Sequence, residues 1–127
     1  MTGARILALT LWAEAAGRPV RAIEGLAALA VNRARGLGSV AAACRSPFVF
    51  ACWHPRHPRR AAMLAVAEGD AQLAACTRIA ARALAGALPD PTGGATHFHP
   101  EERLPRWAIG RTPCATLGGL VFYRPEA

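Results

Sequence analysis

The sequence predicts a single α+β domain that is mostly helical and has a small antiparallel β element near its C-terminus. Apolar residues recur at the three- and four-residue spacing of helices through most of the first 87 residues. After a turn rich in proline and glycine, Ala95–His99 and Leu120–Arg124 have the composition of short strands instead. With 127 residues, the chain is one domain, residues 1–127, and can bury a core without disulfides or a metal.

The first two helices have recognisable ends. Arg5–Ala16 is predicted to form the first helix, because Gly17 and Pro19 are typical of a helix end. Ala22–Arg35 is predicted to form the second helix, which Gly36–Ser39 ends. This second helix is apolar almost all round, so we expect it to lie at the centre of the domain.

Shorter elements follow along the chain. A helical stretch over Val40–Arg45 leads into an irregular loop over Ser46–Pro58, and Arg59–Glu68 can form another helix. Asp70 is a suitable N-cap for a helix that continues to Ala87. The stripe of that helix comprises Leu73, Cys76, Thr77, Ala80 and Leu84. The remaining connections are a turn, Pro89–Gly94, and a loop between the two strands, Glu101–Leu117.

Glu14 is the most informative residue for function. It shares a helical face with Leu7, Thr10 and Leu11, so this carboxylate lies on a stripe that should be buried. It also lies in the last helical turn, where unpaired carbonyl groups disfavour a negative charge. Both effects raise a carboxyl pKa, and a partly protonated carboxyl can donate the proton that cleavage of a glycosidic bond requires. The alternative is an ordinary helix-end glutamate paired with Arg5, Arg18 or Arg21.

Three sequence blocks add to this hypothesis. The first is Trp-Ala-Glu-Ala-Ala-Gly-Arg-Pro at 12–19, continued by Glu-Gly-Leu-Ala-Ala-Leu-Ala-Val-Asn-Arg at 24–33. The second is Phe-Ala-Cys-Trp at 50–53. The third is Asp-Pro-Thr-Gly-Gly-Ala-Thr-His-Phe-His-Pro at 90–100, followed by Trp107 and by Leu-Gly-Gly-Leu-Val-Phe-Tyr at 117–123. Together they resemble the SleB-type cell wall hydrolases, a family of spore cortex-lytic enzymes with relatives in other bacteria and phages. The resemblance covers about residues 5 to 124.

This resemblance implies a lysozyme-like architecture in which Glu14 is the catalytic residue and faces a glycan-binding groove. The residues expected to line the groove are Asn32, Trp53, Thr92, Gly93, Gly94, His97, His99, Trp107 and Tyr123. Trp53 and Trp107 lie in predicted loops, where aromatic rings can stack on sugars. The alternative is that they only cover the hydrophobic core, and we expect this for one of the two.

The third block also has a physical account. Pro91 fixes a turn, the glycine pair lets a ligand approach the backbone closely, and Thr92 supplies a hydroxyl group. On a strand, His97 and His99 share one face, whereas Phe98 points to the other. The alternative is a tight helix-to-strand turn that binds no ligand.

The number of catalytic carboxylates decides the mechanism. A two-carboxylate glycosidase needs a second carboxylate about 5 to 9.5 Å from the first, and only Glu24 and Asp90 are candidates by motif. Glu24 can pair with Arg21 or Arg33, and Asp90 can tie the turn that follows it. The resemblance implies a lytic transglycosylase instead. In that reaction one acid protonates the glycosidic oxygen and then, as a base, helps the 6-hydroxyl group of muramic acid close an anhydro ring.

On this hypothesis Glu14 is the sole acid and base for cleavage between N-acetylmuramic acid and N-acetylglucosamine. Hydrolysis of the same bond, as in a muramidase, is one alternative. A second is a metal-dependent amidase or peptidase acting on peptide stems, with zinc held by His97, His99 and one of Cys52, Cys76 or His57. No ligand pair recurs at structural-zinc spacing and the resemblance argues against a metal, so we expect no cofactor. A third alternative is a non-catalytic, basic wall-binding module or tail component.

The cysteines at 44, 52, 76 and 114 stand alone in the sequence. They can form two disulfides in any of three connectivities. We prefer a pair between Cys52 and Cys76, because the family landmark places Cys52 in a loop that must fold back on the helices. The alternative is that Cys76, on a helix stripe, is a buried free thiol.

The charge of the chain indicates an anionic partner. All 15 basic residues are arginines and the formal net charge is +7, which suits peptidoglycan or teichoic acid. Nucleic acid is a weaker candidate because no groove-entering helix or recognisable module is evident. We therefore expect peptidoglycan glycan strands as the partner, and no nucleic acid.

The N-terminal sixteen residues resemble a secretory leader, with one arginine, an apolar run over Ile6–Ala13 and small residues at 13 and 15. The run is short and continues the helical stripe, so we predict that it is the first helix of the mature fold and that no segment spans the membrane. The domain would act in the cell wall or periplasm, delivered by a holin, a phage-like particle as for an endolysin, cell lysis or a longer precursor.

Overall fold

The computed structural model describes residues 1–46 and 48–126. Its helices are α1 (Gly3–Ala15), α2 (Val20–Leu37), α3 (Val40–Cys44), α4 (Arg60–Leu64) and α5 (Ala71–Leu84). Its strands are β1 (His97–Pro100), β2 (Ala115–Leu117) and β3 (Leu120–Tyr123), with a 3-10 turn at Arg106–Ala108. The predicted α+β class, with mostly helical structure and a small antiparallel sheet near the C-terminus, is confirmed.

Local sequence signals fix the ends of the long helices. The side chain of Thr2 accepts a hydrogen bond from the Arg5 amide at the start of α1, and Asp70 caps α5 by accepting from the Leu73 amide. The C-cap of helix α1 is Ala16, which is in the left-handed conformation, and Gly17 continues the turn with φ +83°. The end of α1 next to Glu14 is therefore abrupt, as the sequence predicts.

The core lies where α1 contacts the other four helices and α2 contacts the sheet. The N-terminal half of α2 is buried, with Ile23, Leu26 and Leu29 inaccessible to solvent, as its predicted central position requires. Its C-terminal half is more exposed. Among the described residues, no helix combines the length and apolar character needed to cross a membrane.

The sheet has the strand order β1-β3-β2, and both pairs are antiparallel. The predicted pairing of β1 with β3 is confirmed, with Phe98 opposite Phe122. Strand β2 was not predicted, because Ala115–Leu117 is short and lay inside the expected loop. Its hairpin with β3 turns through Gly118 and Gly119, both with positive φ. This glycine pair is a recognised hairpin signal.

Two predicted helices are too long. Helix α4 ends at Leu64 rather than Glu68, because the segment before Asp70 forms a turn in which the Asp70 amide donates to Ala67. Helix α5 ends at Leu84 rather than Ala87, because Gly86 adopts a φ of +71°. The buried stripe of α5 is also shifted: Thr77 and Leu84 are exposed, and the buried residues are Leu73, Cys76, Ile79, Ala80 and Ala83.

Gly25 is required by the packing of α2 on the sheet. A Cβ atom there would lie 2.6 Å from Phe122 Cζ and 3.1 Å from Leu117 Cδ1. We expect Gly25→Ala to destabilise the protein by about 1–3 kcal/mol, since Phe122 is fully buried and cannot retreat. Gly36→Ala, on the same helix but with nothing within 4 Å of its Cβ position, should stabilise by about 0.5–1 kcal/mol. Urea denaturation of both variants checks this, and equal effects would contradict the packing argument.

Candidate active site

Glu14 lies in the last turn of α1, above side chains that exclude water. Leu7, Thr10 and Leu11, which share its helical face, are completely buried, as the periodicity predicts. The loop between α3 and α4 folds back over the helix end, and the Cys52 amide donates a hydrogen bond to Glu14 Oε2 at 3.1 Å. The position of Glu14 is thus fixed by its helix, and its carboxyl group is held by the loop.

Burial raises the pKa of Glu14 above its ordinary value of 4.5. Hydrogen bonding to Cys52 and the nearby positive charges of His57 and Arg59 lower the pKa, but less than burial raises it. Arg59 is directed elsewhere: its Nε donates to the Ala13 carbonyl at 3.0 Å, and its guanidinium stacks on Trp12, 4.6 Å from the ring centroid. The net effect is a raised pKa, which is the direction that a proton donor requires.

The alternative that Glu14 is an ordinary ion-paired glutamate is wrong. Each of the three candidate arginines pairs with another carboxylate. The pairs are Arg5 with Glu68, Arg18 with Glu102, and Arg21 with Glu24. Within residues 1–46 and 48–126, no arginine or histidine forms a salt bridge with Glu14.

Trp53 is part of the same loop as Cys52. Its Nε1 donates to Thr10 Oγ1 at 2.8 Å, which anchors the loop to α1 one turn from Glu14. The Arg45 guanidinium lies 5.5 Å from the Trp53 ring centroid. The loop forms a cavity of about 280 Å³ lined by Arg45, Phe50, Ala51, Trp53 and His54. Trp53 is half-buried, so its ring both closes the core and borders this cavity.

A second group of predicted residues forms the turn after α5. Asp90 Oδ1 accepts from the amide and hydroxyl groups of Thr92 at 2.8 and 2.6 Å, and Asp90 Oδ2 accepts from the Gly94 amide and from Asn32, both at 2.9 Å. Asn32 also donates to the Ala95 carbonyl at 2.9 Å. Burial acts to raise the pKa of Asp90, but these hydrogen bonds outweigh it and the pKa is lowered. Asp90 ties the turn, as the sequence predicts.

Neither candidate for a second catalytic carboxylate is free for chemistry. The oxygens of Asp90 are occupied by turn donors. Glu24 pairs with Arg21 at 3.2 Å, as one of its two expected partners, and lies 3.7 Å from Arg82. Asp90 is held in its ionised form by its turn donors, and Glu24 is engaged in an ion pair.

The third group lies on one face of the sheet. His99 Nε2 is hydrogen-bonded to the Tyr123 hydroxyl at 2.9 Å, and Trp107 lies 5.6 Å from His97 and 5.2 Å from Tyr123 between ring centroids. Phe98 points the other way, 5.8 Å from Phe50. The predicted alternation of the histidines and Phe98 is confirmed. A role in binding glycan for these residues, and for Asn32, Thr92, Gly93 and Gly94, remains a prediction.

Two contacts that the sequence does not reveal connect the Glu14 loop to the sheet. Phe50, two residues before Cys52, packs on Phe98 of β1. Arg33 donates to the Thr96 carbonyl at 3.1 Å and to Ser46 Oγ at 3.4 Å, so one guanidinium spans the start of the loop and the start of β1. The block that contains Asn32 and Arg33 was recognised, but the partners of Arg33 were not.

The expected disulfide between Cys52 and Cys76 is wrong. All four cysteines are free thiols. Cys76 is buried on α5 near Asp70, whereas Cys52 lies beside Glu14 and near Cys44. In the described part of the chain, no three His, Cys, Asp or Glu side chains converge as a metal site would require.

This fold and this site define a class of protein: a mostly helical α+β domain with a buried glutamate at a helix end that forms no salt bridge within the described residues. The family model described as Cell Wall Hydrolase matches residues 18–123. The chain belongs to this cell wall hydrolase family and is therefore an enzyme that acts on peptidoglycan. The matched segment begins just after Glu14.

Solved structures show the same fold. The catalytic domain of the Bacillus cereus SleB protein matches with a TM-score of 0.66 and 19% identity, over 94% of this chain and 88% of that chain. The catalytic domain of the germination-specific lytic transglycosylase SleB from Bacillus anthracis matches with a TM-score of 0.71 and 18% identity, over 94% and 92%. No curated protein matches the sequence.

The raised pKa of Glu14 makes a prediction about stability. The folded state disfavours the ionised form of Glu14, so ionising Glu14 costs folding stability. This cost is absent below the pKa of the unfolded state and grows as pH rises above about 4.5 toward the pKa of the folded state. We expect Glu14→Gln, which can still accept from the Cys52 amide, to gain stability relative to wild type as pH rises from 4 to 8. Thermal denaturation across this range measures the gain. The exposed Glu68→Gln is the control, and a gain for Glu14→Gln that does not depend on pH would contradict the prediction.

Proposed function

We propose that the protein cleaves peptidoglycan glycan strands between N-acetylmuramic acid and N-acetylglucosamine as a lytic transglycosylase, with Glu14 as the only acid and base. The observation that carries the proposal is a buried glutamate whose pKa is raised by burial and which has no cationic partner among the described residues. A raised carboxyl pKa is the property that a general acid requires.

The reaction has two proton transfers. Protonated Glu14 donates to the glycosidic oxygen as the bond from muramic acid C1 to that oxygen breaks, and the electron pair leaves with N-acetylglucosamine. The Glu14 carboxylate then accepts the proton of the muramic acid 6-hydroxyl group, whose oxygen bonds to C1 and closes the 1,6-anhydro ring. Glu14 ends protonated, as it began, so the cycle needs no second carboxylate and no water.

The state of the other carboxylates supports this mechanism over a two-carboxylate hydrolysis. An inverting or retaining glycosidase needs a second free carboxylate near the acid. Glu24 is in an ion pair and Asp90 is saturated by turn donors. The Bacillus anthracis protein that shares the fold is itself described as a lytic transglycosylase.

The cavity formed by the loop that contacts Glu14 is the best candidate for the sugar adjacent to the cleaved bond. It has an apolar wall formed by Phe50 and Trp53 and a cation, Arg45, at its edge. Aromatic walls with a few polar groups are common in carbohydrate sites. We propose that the strand continues from this cavity toward the Asp90 turn.

The products distinguish the possible reactions. Purified protein and its Glu14→Gln variant are incubated with purified peptidoglycan, and released fragments are identified by mass spectrometry. We expect wild type to release muropeptides that end in anhydromuramic acid, and Glu14→Gln to lose activity by about 10²-fold or more, as removal of a general acid does. Glu68→Gln serves as the active control, since Glu68 is exposed and paired only with Arg5.

Other outcomes would replace the proposal. Fragments with reducing ends would indicate a muramidase, and cut peptide stems would indicate an amidase or peptidase. Wild-type activity in Glu14→Gln would remove Glu14 from the mechanism. No release by wild type would favour a non-catalytic wall-binding module.

A further inference from the structure

The cavity formed by the loop between α3 and α4 has a lining that suits only one of the two sugars of a glycan strand. Its volume is about 280 Å³, and its lining residues are Arg45, Phe50, Ala51, Trp53 and His54. Three of these side chains are apolar and two are polar. Of the described residues that line the cavity, none is acidic. The chemistry of the two polar side chains therefore decides which ligand is selected.

Trp53 supplies an aromatic wall that is held in place from two sides. Its Nε1 donates to Thr10 Oγ1 at 2.8 Å, and its carbonyl accepts from Arg60 Nε at 3.2 Å. Because the indole N–H group is already bonded within the protein, the ring offers a ligand only apolar contact. Such a wall can pack against the apolar face of any sugar ring, so it does not discriminate between the two sugars.

Arg45 is the charged group of the cavity. It is exposed, and its guanidinium lies 5.5 Å from the Trp53 ring centroid. Within residues 1–46 and 48–126, five arginines form salt bridges, and Arg45 is not one of them. Its planar fork of N–H donors is thus available to a carboxylate of a ligand, which it can bind through both oxygens.

His54 is the second polar side chain, and its hydrogen bonding makes it a donor as well. His54 Nδ1 accepts from the Arg56 amide at 3.0 Å. A neutral imidazole that accepts at Nδ1 carries its proton on Nε2, which is then a donor. The free polar groups of the lining side chains are therefore donors, which suits a ligand rich in acceptors and carrying a negative charge.

We propose that this cavity binds the N-acetylmuramic acid unit whose C1 is at the cleaved bond, and that Arg45 selects it through a carboxylate on its lactyl chain. N-acetylglucosamine, the other sugar of the strand, has no anionic substituent. The proposal rests on the proposed function, because it names the sugar subsite of that reaction. Arg45 is then a specificity-determining residue, and Trp53 is the wall against which the sugar ring packs.

Two groups can supply this carboxylate. In a strand without peptide stems, the lactyl carboxylate is free. In a strand with stems, the lactyl group forms an amide with L-alanine, and the next carboxylate is the α-carboxylate of the D-glutamate that follows. Both lie on the lactyl side of muramic acid and present the same pair of oxygens to a guanidinium.

The test is the binding of soluble tetrasaccharides to ¹⁵N-labelled Glu14→Gln protein, followed by NMR. This variant is used because, on the proposed mechanism, it leaves the ligands intact. The first two ligands are chitotetraose, which has no lactyl group, and the alternating muramic acid tetrasaccharide without stems. We expect the second to bind about tenfold more tightly, as one charge-assisted hydrogen-bonded pair provides. The amide shifts should centre on residues 45 and 50–54.

Variants at Arg45 separate charge recognition from support of the aromatic wall. Added to Glu14→Gln, Arg45→Gln should abolish the preference and leave chitotetraose binding unchanged, whereas Arg45→Lys should keep part of it. Arg78→Gln is the matched control, since Arg78 is an exposed arginine on α5 that does not line the cavity. An equal loss for both ligands in Arg45→Gln would mean that Arg45 only supports the Trp53 ring, and would overturn the proposal.

Two further ligands identify the source of the carboxylate. They are the muramic acid tetrasaccharide with stems that contain D-glutamate, and the same with D-isoglutamine, in which the α-carboxylate is amidated. If Arg45 binds the stem, amidation should weaken binding about tenfold, and Arg45→Gln should remove this difference. If Arg45 binds the free lactyl carboxylate, its effect should be confined to the ligand without stems.

Failure of this proposal differs from failure of the proposed function. Wild type that releases anhydro-muropeptides, together with equal binding of chitotetraose and all the muramic acid ligands, would remove the subsite and keep the reaction. Wild type that releases nothing, together with a preference that depends on Arg45, would remove the reaction and keep the subsite. Shifts that avoid residues 45 and 50–54 with every ligand would also overturn the subsite.

Discussion

The hydrogen bond from the Cys52 amide to Glu14 is the interaction on which the site depends. It is the hydrogen bond by which the loop between α3 and α4 holds the Glu14 carboxyl group itself, at 3.1 Å from the Cys52 amide. The same loop is fixed to Thr10 by Trp53 and to the sheet through Phe50 and Phe98. The contacts that hold the loop in place are therefore also the contacts that bury Glu14.

The position of Glu14 could be predicted because it depends only on local periodicity. Three apolar or small neighbours at helical spacing, and a glycine and a proline after it, define a buried helix end. The pairing of β1 with β3 and the role of Asp90 could also be predicted, because alternation and turn chemistry are local properties. The three sequence blocks added the fold family.

What could not be predicted depends on long-range contacts. The Cys52 loop has no periodic pattern, so the sequence does not show that its amide reaches Glu14. A disulfide with Cys76 satisfied the same loop constraint, but the structure instead places the two thiols in different parts of the core. Strand β2 was missed for a different reason: three residues are too few for a period, although Gly118 and Gly119 did indicate a hairpin.

The excess of arginine makes the isolation of Glu14 informative. In a chain with 15 arginines and eight acidic residues, most carboxylates find a cation or cap a turn. The described partners are Arg5 for Glu68, Arg18 for Glu102, Arg21 for Glu24, Arg111 for Glu126, and the capping positions of Asp70 and Asp90. Glu14 avoids this because Arg59, whose charge acts on it, is held by the Ala13 carbonyl and the Trp12 ring. An ion pair would lower the pKa of Glu14, so the contacts that hold Arg59 away from the carboxylate help burial to dominate its pKa.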